Sequence, residues 1–285
     1  LNLLSAVASS KIRAFSFGIR AFSFGGGVQS MAVLVLQAQG KLPEAYDAFV
    51  FANVGEDSEN PATLAYVENV AKPFAEKHGI KFIEVQKRRR NGELDTLYQF
   101  VHREKNSVSL PIRMANGAPG NRNCTGTFKI NVIDRWIKKA GYSHSIIGIG
   151  ISTDEFLRAR DEQWHASDYG VQKRREHPLI TLRLNRAQCQ QIIQEAGLPL
   201  PPKSACWWCP FKKRTEWIEL RRTDPPLFWK AVYLEQYINA KRALMGRDRV
   251  YFHPSLKPLD QATGQQLALF TEYEMDACES GYCMV

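Results

Sequence analysis

Apolar residues fall in two rhythms along this chain. Up to about residue 151, short continuous apolar runs alternate with stretches in which apolar positions recur every three or four residues. Arg20–Phe24, Tyr46–Asn53 (YDAFVFAN), Lys81–Val85 and Ser145–Ile151 (SIIGIGI) have the length and composition of buried strands. Gln29–Gln39, Asn60–His78 and Phe128–Ala140 carry helical periodicity. The first stops at Gly40; the second has Pro61 in its first turn and stops at Gly79. Strands alternating with helices predict an α/β fold: a doubly wound, mostly parallel sheet with helices on both faces and its ligand at the carboxyl ends of the strands.

The rest of the chain is patterned differently. Lys87–Asn123 is poorly periodic, with a short helix at Leu94–Arg103 and a Gly, Asn and Pro-rich loop at Asn116–Asn123. Asn185 caps a helix that ends at Gly197. A hinge with Pro199, Pro201 and Pro202 follows, then helices from about Arg214 to Arg222 and from Pro225 to Met245. This predicts an α/β domain over residues 20–184 and a helical C-terminal portion over 185–285. Residues 1–19 form an N-terminal extension. Ile12–Gly18 (IRAFSFG) repeats at once as Ile19–Gly25, and only the second copy runs into a glycine turn. The first 18 residues therefore read as a start-site artefact, or alternatively as an extra β-strand.

Charge narrows the partners. There are 38 Lys and Arg against 29 Asp and Glu, a net charge of +9, which favours an anionic partner such as a nucleotide or nucleic acid. Basic clusters stand at Lys87–Arg90, Lys173–Arg175, Lys212–Arg214 and Arg221–Arg222. No apolar run is long enough to cross a membrane. The mildly apolar residues 1–10 have no positive charge before them, so no signal peptide is expected. Six cysteines without such a signal predict reduced thiols in the cytoplasm, suited to metal or redox work.

The stretch Ser23–Ser30 (SFGGGVQS) places three glycines between a strand and a helix. Its backbone N–H groups and the helix dipole suit an anion, with the Ser23 and Ser30 hydroxyls at its ends. It lacks the Gly-Lys-Ser/Thr of a Walker loop and the spaced glycines of a dinucleotide fingerprint. It resembles the pyrophosphate-binding PP-loop of the adenine nucleotide α-hydrolase superfamily, and more closely that of its phosphoadenosine phosphosulfate (PAPS) reductase-like branch. Gly25 stands where that family has a second Ser, and Gln29 where it has an Asp. Further segments fit in order over residues 20–211: Phe51–Gly55, Arg122–Lys129 (RNCTGTFK), Ile147–Arg158 (IGIGISTDEFLR) and His177–Ile180. The resemblance implies that Ser23, Phe24, Gly25, Gly26, Gly27, Gln29, Ser30, Asn53 and Gly148 bind ATP. Lys129, Asp154, Glu155 and Arg158 would carry the chemistry. Asp154 and Glu155 could hold Mg²⁺ on the nucleotide or cap the following helix.

Cys206 and Cys209 have the spacing with which two thiolates reach one metal, and Pro210 follows directly. Alone, such a pair is equally a zinc half-site or a redox dithiol. The resemblance adds Cys124 and implies a [4Fe-4S] cluster held by Cys124, Cys206 and Cys209, with Cys283, Cys278 or no protein group as the fourth ligand; an iron without a protein ligand could bind and deliver sulfide, and zinc is the alternative to the cluster. Cys189, near Ile192 and Ile193, reads as a core residue. Trp207 and Trp208 read as packing, with cluster screening or base stacking as alternatives.

Together these features imply an ATP pyrophosphatase that adenylates a nucleic-acid oxygen for replacement by sulfur. The relatives named by the resemblance are DNA phosphorothioation components and tRNA thiolases, with DNA ahead of tRNA as acceptor. A cysteine desulfurase is the implied sulfur donor, and a homodimer is admitted. The alternatives are a PAPS or adenylyl-sulfate reductase and a non-catalytic nucleotide- or nucleic-acid-binding subunit.

Overall fold

The computed structural model describes residues 18–103, 110–159 and 163–263. Most of the N-terminal extension, with nearly all of the first IRAFSFG copy, lies outside the described residues, as do Cys278 and Cys283. In chain order the main elements are β1 (Gly18–Phe24), α1 (Val28–Ala38), β2 (Ala48–Asn53), α2 (Pro61–Tyr66), α3 (Lys72–Lys77), β3 (Phe82–Gln86), α4 (Leu97–Arg103), α5 (Asn131–Lys139), β4 (His144–Ile149), β5 (His165–Ala166), β6 (Gln172–Glu176), α6 (Arg186–Glu195), α7 (Arg214–Thr223) and α8 (Pro225–Leu244). Single π-helical turns join α2 to α3 (Val67–Ala71) and precede α5 (Gly126–Ile130). Two of the helices expected to be continuous are therefore interrupted. No helix among the described residues is long and apolar enough to cross a membrane.

These elements form two compact units whose segments interleave along the sequence. The first takes residues 1–53, 63–86 and 129–203, and the second takes 54–62, 87–128 and 204–285. The pattern along the chain places a single boundary at 184/185; by contacts, α6 groups with the sheet.

The first unit is the α/β sheet, with strand order β3-β2-β1-β4-β6-β5. All neighbouring strands pair in parallel except β5 with β6. On one face Phe22, Phe24, Phe49 and Phe51 meet α1 and α6 in a single apolar cluster. Each such fully buried ring contributes about 2 kcal/mol of hydrophobic stabilisation. Cys189 is in this cluster, as its neighbours predict, and burial pushes its thiol up to about 12. Outside that cluster α5 packs on β2 and β3, so helices cover both faces. Arg20 on β1 pairs with Glu176 on β6 at 2.7 Å, and Lys173 on β6 reaches Asp134 on α5 at 2.6 Å. That last pair explains a strand the pattern did not reveal: QKRRE has no apolar residue, yet it pairs with β4 and buries its lysine stem.

The second unit has its own core. Trp207, Trp208, Trp217, Phe228 and Phe252 gather there with Phe128 and Leu97. Trp207 and Trp208 are each 1% exposed, so both pack inward. The Trp207 indole N–H donates to the Asp57 carbonyl at 2.9 Å. Glu235 on α8 accepts the backbone N–H groups of Phe252 and Leu259 at 2.7 and 2.9 Å. One helical residue thus holds the returning segment.

Candidate functional site: a glycine turn at the sheet's switch point

In the first unit β2 and β3 lie on one side of β1, and β4, β6 and β5 on the other. Strand order reverses between β1 and β4. In sheets of this type a ligand crevice opens at the carboxyl ends of such a pair. Two segments leave the sheet there: Gly25–Gly27 after β1, and Gly150–Arg158 after β4.

The glycine turn is built for close approach. Gly26 has φ of +77°, a left-handed conformation that strains any residue with a Cβ. Gly27 is extended and starts α1 without a side-chain cap. Ser30 closes the first turn from within: its Oγ accepts the Gly27 N–H at 3.1 Å and donates to the Gly27 carbonyl at 2.9 Å. The Ser30 hydroxyl, 4% exposed, is therefore a positioning group rather than an outward donor. The eleven-residue helix carries no acid in its first turn, so the positive end of its dipole is uncompensated. Gly150 lets the chain after β4 pass close by; a Cβ there would lie 3.3 Å from the Ser30 nitrogen.

Beside this turn stands a polar cluster. Arg158 pairs with Glu155 at 2.5 Å, with side chains 10% and 7% exposed. The Gln29 amide donates to Glu155 at 3.3 Å and to the Ser152 hydroxyl at 3.5 Å, and accepts from Arg186 at 3.3 Å. Burial pushes the Glu155 carboxyl up, against the pull of Arg158. The Arg158 Nε is buried and has no hydrogen-bond partner. Asp154 accepts the backbone N–H of Arg186 at 3.0 Å. It caps the start of α6, not the short helix in which it lies. Asp154 is thus engaged at a helix start and Glu155 on an arginine.

The structure thus joins Gln29, Asp154, Glu155 and Arg158 and adds Ser152 and Arg186. Sequence reasoning read Arg186 only as the residue after a helix cap. Other expected residues stand elsewhere. The Phe24 ring is in the core, 2% exposed, leaving only its backbone to the turn. Ser23 is half-buried on β1 and Lys129 half-buried in the π-helical turn before α5. The Asn53 amide donates to Glu84 at 2.7 Å, a strut between β2 and β3. Gly148 accommodates Tyr46, whose Oη would lie 2.4 Å from a Cβ there. That is a packing requirement and does not need a nucleotide.

In the second unit Cys124 sits in the helical turn Asn123–Thr125. Cys206 and Cys209 flank a tight turn in which the Cys209 N–H donates to the Cys206 carbonyl at 3.0 Å. Cys124 and Cys206 both pack against the aromatic core. Among the described residues no group of three or more His, Cys, Asp or Glu side chains is placed to hold a metal ion. Cys283 lies outside them. The three described thiols thus do not by themselves make the site that the resemblance implies.

No protein-family model matches this chain, and no curated protein matches it. Among solved structures it is similar to the U34-tRNA thiolase NcsA from Methanococcus maripaludis with its [4Fe-4S] cluster. The identity is 13%, the match covers 95% of this chain and 90% of that chain, and the TM-score is 0.42. A likeness at that level assigns neither an activity nor a ligand to this chain.

Proposed function

We propose that this chain is an ATP pyrophosphatase of the PP-loop kind, which activates an oxygen of a nucleic-acid acceptor for replacement by sulfur. The glycine turn carries the reading. It combines Gly26 at φ +77°, a helix start with no acid in its first turn, and a position at the switch point of a parallel sheet. Backbone N–H groups there suit the phosphates of a nucleotide, whose approach a Cβ would block.

In the first step the acceptor oxygen attacks the α-phosphorus of ATP. The bond to the bridging oxygen breaks, and pyrophosphate leaves with its electron pair. Arg158, held by Glu155, balances charge on the leaving group. In the second step sulfide attacks the activated atom, its sulfur takes the place of the activated oxygen, and AMP departs with that oxygen. The net charge of +9 supports the nucleic-acid acceptor. The finer form implied by the resemblance has DNA as acceptor and a cysteine desulfurase as donor.

Incubation with ATP, Mg²⁺, nucleic acid and sulfide should release pyrophosphate and AMP, and no orthophosphate. Gly26→Val should weaken ATP binding at least about tenfold, or roughly 1.4 kcal/mol, in a protein that still folds. Orthophosphate as product, unchanged ATP affinity in that variant, or sulfite released from PAPS without ATP turnover would each overturn the reading.

A further inference from the structure

The cluster Lys173–Arg175 and the aromatic residues around it are not used by the nucleotide site. Of the three basic residues, Lys173 is internal, paired with Asp134. Arg174 instead lies over the ring of Trp164 at 5.9 Å, and Trp164 is 50% exposed. His144, the exposed first residue of β4, meets the same ring edge-on at 5.9 Å. Around the edge, on the face to which Lys173 and α5 belong, Arg135 lies over Tyr169 at 5.0 Å. Lys138 and Lys139 follow on the same exposed side of that helix. Asp168 is the exposed acid of the β5–β6 turn.

We propose that this edge, formed by β5, β6 and the outward side of α5, binds single-stranded nucleic acid. Cations spaced along a sheet edge match phosphates, and half-exposed rings already covered by arginines match unstacked bases. Duplex hides the base faces that Trp164 would meet. A protein strand is a poorer occupant. Among the described residues β5 pairs with Gln172 and Lys173, and β6 continues with Arg174 and Arg175, side chains that resist strand addition. The edge is separate from the nucleotide crevice. His144 opens β4 at its amino end, whereas the glycine turn sits at the carboxyl ends, about 20 Å away over a six-residue strand. The edge would therefore anchor a flank of the acceptor and not its reacting atom.

The proposal rests on the nucleic-acid half of the function above, and its test needs no ATP. Fluorescence anisotropy with labelled oligo(dT), oligo(U) and a matched duplex measures binding. Both single strands, or one of them, should bind, with affinity falling as salt rises. Trp164→Ala should weaken binding about fivefold or more, and Trp164→Phe should keep most of it. Lys138→Glu with Lys139→Glu should weaken binding to every sequence and flatten the salt dependence. Circular dichroism and urea unfolding should be unchanged in all three variants, which shows that they fold. Binding that survives both Trp164→Ala and the double variant overturns the proposal. So does a duplex preference indifferent to Trp164, or a wild-type protein that binds no single strand. Loss of ATP chemistry with oligonucleotide binding intact would instead defeat the proposed function and leave the edge standing.

Discussion

Compare how the strand ends of the first unit and the aromatic interior of the second bury polar groups. At the strand ends, buried ions meet ions: Glu155 with Arg158, and Lys173 with Asp134. Around Phe252 they do not. Glu235, 2% exposed, is served by two backbone N–H groups, and burial pushes its carboxyl up. His253, also 2% exposed, has an Nε2 without a partner, as do the indole nitrogens of Trp208 and Trp217. An ion pair can be kept charged for use at a site. A buried group served only by backbone makes folding itself depend on that group and on its protonation.

The largest consequence falls on Glu235. Glu235→Ala leaves two buried N–H groups unserved, at about 1–3 kcal/mol each. Urea unfolding should show a loss of about 4 kcal/mol, and Glu235→Gln, which keeps one acceptor, about half of it. A loss for Glu235→Ala below about 1 kcal/mol would break the contrast, because water would then be replacing the carboxylate.

His253 comes next. Its Nδ1 accepts the Ser255 N–H at 3.1 Å, which leaves the proton on Nε2. Burial, then repulsion from Arg214 and Arg113, lowers its pKa to about 4 from the usual 6.5. Below pH 6.5 the unfolded chain takes up a proton that the native state refuses. Stability should fall as pH drops from about 6.5 to about 4, by about 3 kcal/mol, and should not change on this account above 6.5. Glu235 and Glu155 are shifted upward, so their contribution is lost as pH rises, and neither can produce an acid limb. His253→Asn should remove the limb in urea titrations at stepped pH. A variant with an unchanged acid limb would assign it elsewhere.

The same contrast explains what was legible in the sequence. The glycine turn, the strands YDAFVFAN and SIIGIGI, and the cap at Asn185 could be read because local chemistry decides them: three adjacent glycines, continuous apolar runs, and an Asn whose side chain accepts the Gln188 N–H. β6 could not, since QKRRE becomes a strand only through β4 and the Asp134 pair. The interleaving of the two units is equally invisible, because poorly patterned segments such as Lys87–Phe128 acquire their partners only on folding. At the site, Gln29 and Glu155 were found from a resemblance in order and spacing. Arg186, more than 150 residues from Gln29 in the chain, carries no local signal and was missed.

Arg186 also gives the smallest and sharpest test of the paired-ion side. Its guanidinium donates to the Gln29 side chain at 3.3 Å, while its link to Asp154 runs through the backbone N–H and survives mutation. Arg186→Ala should therefore cost only about twofold to threefold in ATP affinity, the range of one modest hydrogen bond. Its signature lies in the pH profile. Arg186 is one of the charges that pull the Glu155 carboxyl down against burial. Without it that carboxyl titrates higher, and the pH dependence of ATP binding should move upward. Arg158→Ala removes the direct partner of the same buried carboxylate, so it should give a larger shift in the same direction and a larger loss of affinity. Equal losses from the two variants, or no movement of the profile in either, would mean that Glu155 is not the group coupling this cluster to the nucleotide.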